Sequence, residues 1–473
     1  MRILIALKQR NYLNAFAGLV DELLGRGHAV RLAWPDEDVS RPAEVTATGD
    51  LSIDAWKPQR SDEWAPVAAT VRRASDYLRY LEPAYRDAAK LRARAFEKLL
   101  HSLSHGERLP EPAWGDLGLA LSEAERGRLQ TIARLMEEAM PSDPGQEALL
   151  REWRPDLVLV SPLIDLGSAQ TDIVKSAKSL GIPTGMLLFS WDNLSTKGSL
   201  HVLPDRMFVW NELQRQEAVQ LHGFPLERTH AAGAPRFDEF FGLSAVTDRA
   251  AFCAPLDFDP RQPILMYLGS SKFVITSREL PFIARWIAAI RESADPRLRQ
   301  CNILVRPHPD VKSGDDEGPS QPVRWSGLEG KGVVTRPFAD PRALVLRTHY
   351  RRAQGFFEAL THSAAVVALN TSAALEAAIV GRPVFTVLAG EAADGQASTL
   401  HFRYLLASEG GCVTLASTLD EHRTQLTAAL DDPGQSERLR AFAASFLRPA
   451  GWSLPASRVL ADTIESVYGT AAV

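Results

Sequence analysis

Short apolar runs alternate with amphipathic stretches over most of the chain, and this alternation sets the first expectation for its fold. Residues 3–7 form an unbroken apolar run, an amphipathic stretch leads to Gly25 and Gly27, and residues 28–34 are again strand-like, which predicts a β-α-β unit. From about 58 to 145 the pattern turns helical, rich in Ala and Arg and without a convincing strand, and predicts a helical insertion. Strand-like runs return at 156–160, 184–189 and 206–210, with a helical period over 168–180. A second series follows at 264–268, 302–306, 333–335, 365–369, 384–388 and 412–415, separated by helical stretches such as 280–292. Such alternation implies parallel sheets covered by helices. The expected fold class is α/β, with two Rossmann-like doubly wound domains facing across a cleft.

The stretch 242–263, with Pro255, Pro260 and Pro263, reads as a linker. It places an N-terminal domain with its insertion in 1–242 and a second domain in 243–450; a last helix over about 455–467, within 451–473, is expected near the interdomain crevice. Ligands of doubly wound sheets bind beyond the carboxyl ends of the strands, so the loops after the strands are where chemistry is sought.

Composition and charge narrow the function classes. A 473-residue chain with 45% apolar and 23% charged residues is ordinary globular material and too long for one core. Its formal charge of −5, from 53 basic and 58 acidic residues, offers no global attraction to nucleic acid or an anionic bilayer, so anion recognition has to be local. Cys253, Cys301 and Cys412 have neither disulfide nor zinc spacing, which fits a reducing cytoplasm. The run at 3–7 is too short for a signal segment or a membrane span and reads as a buried strand.

Four loops of the C-terminal half carry the strongest signal. In Gly269-Ser270-Ser271-Lys272, small residues let the backbone approach an anion and the lysine adds charge; the plainer reading is a turn. In Arg306-Pro307-His308-Pro309-Asp310, a strand-end arginine precedes a histidine held between two prolines, against the alternative of a histidine bonded only to backbone. The third loop, Asn370-Thr371-Ser372, opens a helix over 373–380 with Ser372 as expected N-cap and Gly381 as C′ residue. A helix amino end suits a diphosphate, and Glu376, one turn deeper, would accept from ribose hydroxyls; the competing reading is a capped helix with a solvent-facing glutamate. The fourth, 389–402, holds Glu391, Asp394, Gln396 and His401, as a donor contact or a plain flexible loop.

The order of strand, small-residue turn, R-P-H-P loop and then N-T-S-A-A-L-E-A-A-I-V-G-R-P-V resembles the C-terminal domain of GT-B-fold glycosyltransferases. It is most similar to the branch holding capsule and lipopolysaccharide sugar transferases, CDP-glycerol glycerophosphotransferases and UDP-N-acetylglucosamine 2-epimerases. The resemblance implies a diphosphate grip for Thr371 and Ser372 and a ribose contact for Glu376. The architecture of most of the chain is covered, but the specific motifs fall between about 269 and 383. Two departures stand out: Lys8-Gln9-Arg10-Asn11-Tyr12 replaces the Gly-rich first loop of several such enzymes, and the helical insertion has no counterpart.

Glycosyl transfer needs a stabilised leaving nucleotide, an oriented acceptor hydroxyl and usually a base. Asp315-Asp316 and Asp431-Asp432 lie in polar loops rather than at strand ends, so metal independence is expected, with no cofactor beyond the nucleotide-sugar co-substrate. Asp192, beside Trp191 in a polar segment after a strand, is the candidate base and Asp165 the second; a turn or cap role for Asp192 is the alternative. Arg10, Asn11 and Asn193 are candidate acceptor contacts, and Asn211-Glu212 a strand-end contact to either substrate. In the insertion, Arg72, Arg79, Arg86, Lys90, Arg94 and Lys98 repeat by sevens and fours, a basic helical face divided at Pro83. That face suggests peripheral docking on an anionic membrane surface or polymer, against a merely solvated side. The expected activity is transfer of a sugar from a nucleotide-sugar donor such as a UDP-sugar to a surface glycan or glycolipid. The alternatives are a CDP-glycerol-type phosphotransferase, a nucleotide-sugar 2-epimerase and a non-catalytic nucleotide-sugar binder.

Overall fold

The computed structural model describes residues 1–103, 112–270, 279–306, 308, 333–335, 340, 342–347, 353–388, 390, 396, 399–432 and 434–469. The chain divides into two compact units, Met1–Asp238 with Ser445–Val473, and Glu239–Ala444.

In the first unit, β1 (Arg2–Leu7), β2 (Ala29–Trp34), β3 (Leu51–Ala55), β4 (Leu157–Ser161), β5 (Thr184–Leu187), β6 (Arg206–Val209) and β7 (Thr229–Ala231) form one sheet. All neighbours are parallel, in the order β3-β2-β1-β4-β5-β6-β7, so the strand order reverses between β1 and β4. The two-residue period of β1 feeds two cores. Ile3, Ile5 and Leu7 pack with helix α1 (Ala17–Gly25) and the C-terminal helix Ala456–Tyr468, while Leu4 and Ala6 join the cluster on the other face. β3 and β7 were not expected from the pattern. Both are short edge strands with few buried residues, recruited by a neighbour's free backbone groups more than by their own apolar faces.

The second unit repeats the design. β8 (Ile264–Leu268), β9 (Asn302–Arg306), β10 (Val333–Thr335), β11 (Ala343–Arg347), β12 (Ala365–Ala368), β13 (Val384–Val387) and β14 (Val413–Ala416) run in the order β10-β11-β9-β8-β12-β13-β14. Only the β10–β11 pair is antiparallel among these, and the order reverses between β8 and β12. The stretch 242–263 is not an open linker. It holds the helix Arg249–Cys253, and Arg249 donates to the carbonyls of Pro260 (2.8 Å), Gln262 (2.6 Å) and His362 (2.5 Å), which ties it to the second unit.

The insertion is helical, with α2 (Ala65–Arg79), α3 (Ala89–Leu103), α4 (Glu123–Ala139) and α5 (Pro144–Trp153). Only part of its expected basic face meets solvent: Arg86 and Lys98 are exposed and Lys90 and Arg94 half-buried, but the α2 part is enclosed. Arg72 and Arg79 are only 2% and 3% exposed. Arg72 sits between Asp172 (2.7 Å) and Glu137 (2.9 Å), and Arg79 spends its guanidinium on main-chain carbonyls. Sequence spacing placed these arginines on one side of a helix, but that side faces protein. Among the described residues no helix is long and apolar enough to cross a membrane.

Asp238 fastens the returning C-terminal segment. Its carboxylate accepts from Arg448 (2.6 Å), from the main-chain N–H groups of Ala456 (2.9 Å) and Ser457 (2.8 Å), and from the Ser457 hydroxyl (2.7 Å). A remote carboxylate thus caps the last helix, whose own N-cap position, Pro455, has no side chain able to do so. Asp238→Ala should lower the unfolding free energy by about 3–5 kcal/mol, because it strands the buried Arg448 cation. Urea denaturation measures this directly, and a loss below about 1 kcal/mol would refute the fastening role.

Candidate functional site

Sheet register brings three of the expected loops of the second unit together. Leu268 at the end of β8 pairs with Arg306 on one side and with Ala368 on the other. Gly269, Arg306 and Asn370 therefore emerge from three adjacent strand ends at the point where the strand order reverses, the position at which doubly wound sheets bind ligands. The Gly269 N–H donates to the Arg306 carbonyl at 2.7 Å, extending the sheet by one bond.

The turn after β12 opens the helix Ala373–Val380. Every residue of that helix is buried except Glu376, which keeps partial exposure. Thr371 and Ser372 are also partly exposed, and Asn370 is buried, so protein does not seal this helix end. The expected cap needs correction: Ser372 has helical dihedrals and makes no side-chain capping bond, whereas the Thr371 hydroxyl accepts from Ala373 N–H at 3.3 Å. Ser372 does occupy the N-cap position, but its hydroxyl is not engaged in capping. At the other end Gly381 takes φ 80°, the left-handed conformation a C′ residue needs.

Gln396 supports this turn from behind. Fully buried, its amide donates to the carbonyls of Leu369 and Val387 and to the Thr386 hydroxyl, each at 3.0 Å. The fourth loop was singled out for donor contact, yet its Gln396 is structural and its His401 is buried. Glu391 and Asp394 lie outside the described residues, as do Ser271, Lys272, Pro307, Pro309, Asp310, Asp315 and Asp316. Ser270 is also partly committed, since its N–H donates to the Glu279 carboxylate at 2.9 Å. That bond withdraws one backbone donor from the anion cradle expected at 269–272. The Arg306 guanidinium is buried 3.5 Å above the Phe356 ring centroid, which fixes the cation at the strand end, and His308 is half-buried beside it in sequence. Asp431 is an exposed turn residue, as expected, and pairs at the surface with Arg297 at 2.5 Å.

The first unit has its own cluster where its strand order reverses. Lys8, just after β1, pairs with Asp165, just after β4, at 2.5 Å. Asp192, in the segment after β5, accepts from the Thr196 hydroxyl at 3.0 Å and lies 3.6 Å from Lys197. Tyr12 stacks on Phe189 with ring centroids 3.9 Å apart, and burial together with the Asp165 and Asp192 charges raises its phenol well above the usual range. Burial alone would raise the Asp165 carboxyl, but the Lys8, Lys197 and Arg94 charges outweigh it and hold it below the usual carboxylate range. That direction removes Asp165 as a base of raised pKa. Lys8, Tyr12 and Lys197 were missed as site residues; Lys8 and Tyr12 were visible only as the bounds of an unusual first loop.

Two further expectations fail here. Asn193 is buried and its Oδ1 accepts from Ser190 N–H at 2.9 Å, so it builds the turn instead of meeting an acceptor. Asn211 caps α6 (Glu212–His222) by accepting from Gln214 N–H (3.1 Å) and donates to the Phe446 carbonyl (2.8 Å). Arg10 is tied to Asp38 at 2.8 Å, while Asn11 is exposed.

The insertion sets the shape of this cluster. From α2, Asp76 accepts from Gly167 N–H and Ser199 N–H, both at 2.6 Å, joining the loops after β4 and β5. Arg79 donates to the carbonyls of Lys197 (2.9 Å), Gly198 (2.7 Å) and Leu194. Gly198 lies so close to Asp165 that a Cβ there would collide with the Asp165 carbonyl.

No family model matches the chain, and no curated protein does either. Solved structures do resemble it. A candidate UDP-N-acetylglucosamine 2-epimerase from Listeria monocytogenes is 11% identical, with a TM-score of 0.51 over 100% of this chain and 97% of that one. Another UDP-N-acetylglucosamine 2-epimerase is 12% identical, with a TM-score of 0.50 over 99% and 96%. The calicheamicin glycosyltransferase CalG4 is 16% identical, with a TM-score of 0.48 over 100% and 99%. At these identities the likeness is one of fold, and the fold is that of the GT-B proteins, with two Rossmann-like α/β units.

Proposed function

We propose that this chain is an enzyme that binds a nucleotide sugar through the second unit and transfers its sugar to a glycan or glycolipid acceptor, without a metal. The observation that carries the proposal is the helix Ala373–Val380, which opens where the strand order reverses and leaves Glu376 alone partly accessible among buried neighbours. A diphosphate would rest on the amino end at Thr371 and Ser372, with Arg306 ending β9 and His308 following it on the far side of β8, and the Glu376 carboxylate would accept from the ribose. Helix dipole and guanidinium would offset the charge that grows on the leaving nucleotide. In the first unit Asp192 is the proposed base.

Thermal shift with UDP-, GDP-, CMP- and CDP-activated sugars tests the donor. At least one should raise the melting temperature at millimolar concentration, and a flat response across the panel on folded protein would end the proposal. Asp192→Asn should keep that shift and slow turnover by about 10²–10⁴-fold; equal loss of binding would reject Asp192 as base. A 2-epimerase is the second reading, supported by the names of two solved structures that share the fold. An epimerase would consume the nucleotide sugar with no acceptor present.

A further inference from the structure

Where the first unit's chain leaves β7, one side chain stands apart from its neighbours. Residues 232–235 and Phe237 are buried, and Arg236 among them keeps partial exposure. Its guanidinium lies over two rings, 5.4 Å from the Phe189 centroid and 5.3 Å from that of Phe237. The rings hold the cation in place but do not neutralise it.

Lys8, Lys197 and Arg10, which also follow strands of this sheet, have carboxylate partners. Lys8 pairs with Asp165 at 2.5 Å, Lys197 lies 3.6 Å from Asp192, and Arg10 pairs with Asp38 at 2.8 Å. Arg236 has neither an ion pair nor a hydrogen bond among the described residues, and the carboxylates of the cluster are already matched with lysines. Its position makes that spare charge useful. Phe189, on which it rests, stacks on Tyr12, and the turn Arg10–Ala15 packs against the turn Pro235–Phe237. Tyr12 in turn lies close enough to Asp165 and Asp192 for their charges to act on its phenol. Arg236 therefore joins the strand-end cluster of the proposed base from beyond the edge strand β7. A guanidinium held beside partly exposed aromatic rings offers a fork of N–H donors that fits a carboxylate or a phosphate. With a net charge of −5 on the whole chain, attraction for an anion has to come from such a local group.

We propose that Arg236 determines acceptor specificity by binding an anionic group, so that the acceptor is an acidic saccharide carrying a carboxylate or a phosphate. The proposal rests on the reading of the first unit as the side that holds the acceptor, with Asp192 as base. Arg236 anchors the anionic group, while the reacting hydroxyl belongs to Asp192.

Saturation-transfer NMR on the full chain, with glucuronate, glucose 1-phosphate and glucose as probes and no nucleotide present, tests the assignment. At least one of the two acids should bind at least about tenfold more tightly than glucose, the discrimination expected of charge-assisted hydrogen bonds. Preference for glucuronate alone identifies a carboxylate, and for glucose 1-phosphate alone a phosphate. Arg236→Met, which keeps an apolar stem on the two rings and removes the charge, should erase the preference. Arg236→Lys, which keeps the charge without the fork, should recover part of it. If the methionine variant fails to fold, the wild-type chain still decides: raising salt from about 50 to about 500 mM should weaken the acid and leave glucose unchanged. Both variants should keep the thermal shift with the activated-sugar panel, so failure here differs from failure of the donor reading, in which the wild-type chain itself gives no shift. No binding of either acid up to about 50 mM, equal binding of glucose, a preference that survives in Arg236→Met, or one that salt does not weaken would each overturn the proposal.

Discussion

Arg79→Met will unfasten the segment that carries Asp192 and cost about 3 kcal/mol of stability, the sum expected when buried carbonyls lose a shared cationic donor. The guanidinium holds the Leu194, Lys197 and Gly198 carbonyls and also donates to the Tyr85 hydroxyl at 2.6 Å. Methionine keeps most of the volume and supplies no donor. Tyr80, whose hydroxyl donates to the Lys197 carbonyl at 2.7 Å, can compensate at one point only. Hydrogen exchange should show the difference locally. The amides of Ser195, Thr196 and Ser199 should lose protection by at least about tenfold, while those of β1 and β4 keep theirs. Unchanged protection at 195–199 would mean that the segment holds its shape without Arg79. Because a small misplacement of a reacting group costs about 10²-fold in rate, turnover should fall by a similar factor while nucleotide binding in the other unit stays intact.

Glu376→Ala should separate recognition of the ribose from that of the diphosphate. A carboxylate accepting from ribose hydroxyls contributes about 1.5–3 kcal/mol, so UDP should bind roughly tenfold to a hundredfold more weakly. Inorganic pyrophosphate, which has no ribose, should bind the variant as it binds the wild type. Ser372→Ala should weaken both ligands, because the proposed hydroxyl contact is to the phosphates. Calorimetry with the two ligands reads this pattern. Equal losses for UDP and pyrophosphate in Glu376→Ala would remove the ribose assignment. The thermal midpoint should hardly move, since Glu376 is the one residue of its helix that the core does not enclose.

The strand and helix alternation was legible because buried parallel strands read as near-continuous apolar runs, as β8 does and as β1, β4 and β9 do apart from a polar residue at one or both ends. The helix at 373–380 was legible from a turn triplet before it and Gly381 after it, the chemistry that starts and stops helices. Beyond these local rules the reading failed in a consistent way. Spacing showed that Arg72 and Arg79 share a side of a helix, but only packing shows whether that side meets water. Asn193 and Asn211 follow strands as a ligand contact would, yet Asn193 accepts from the preceding turn and Asn211 caps the helix after it and donates to the Phe446 carbonyl. The same polar residue types cap turns and bind substrates, so type and position alone do not separate the roles.

By itself the sequence determined the α/β class, the helical insertion and the loops that close the strands of the second unit, because each depends on periodicity or on residues within a few positions of one another. Tertiary structure alone decided that the strand ends at 269, 306 and 370 are neighbours, that Lys8, Tyr12, Asp165 and Asp192 share one cluster, and that Arg72 and Arg79 of the insertion face inward. Those groupings join residues far apart in the chain, 100 positions for Tyr267 and the Val367 it pairs with and 157 for Lys8 and Asp165. Strand order sets them, and it follows from how whole sheets bury their apolar faces, which no local pattern encodes.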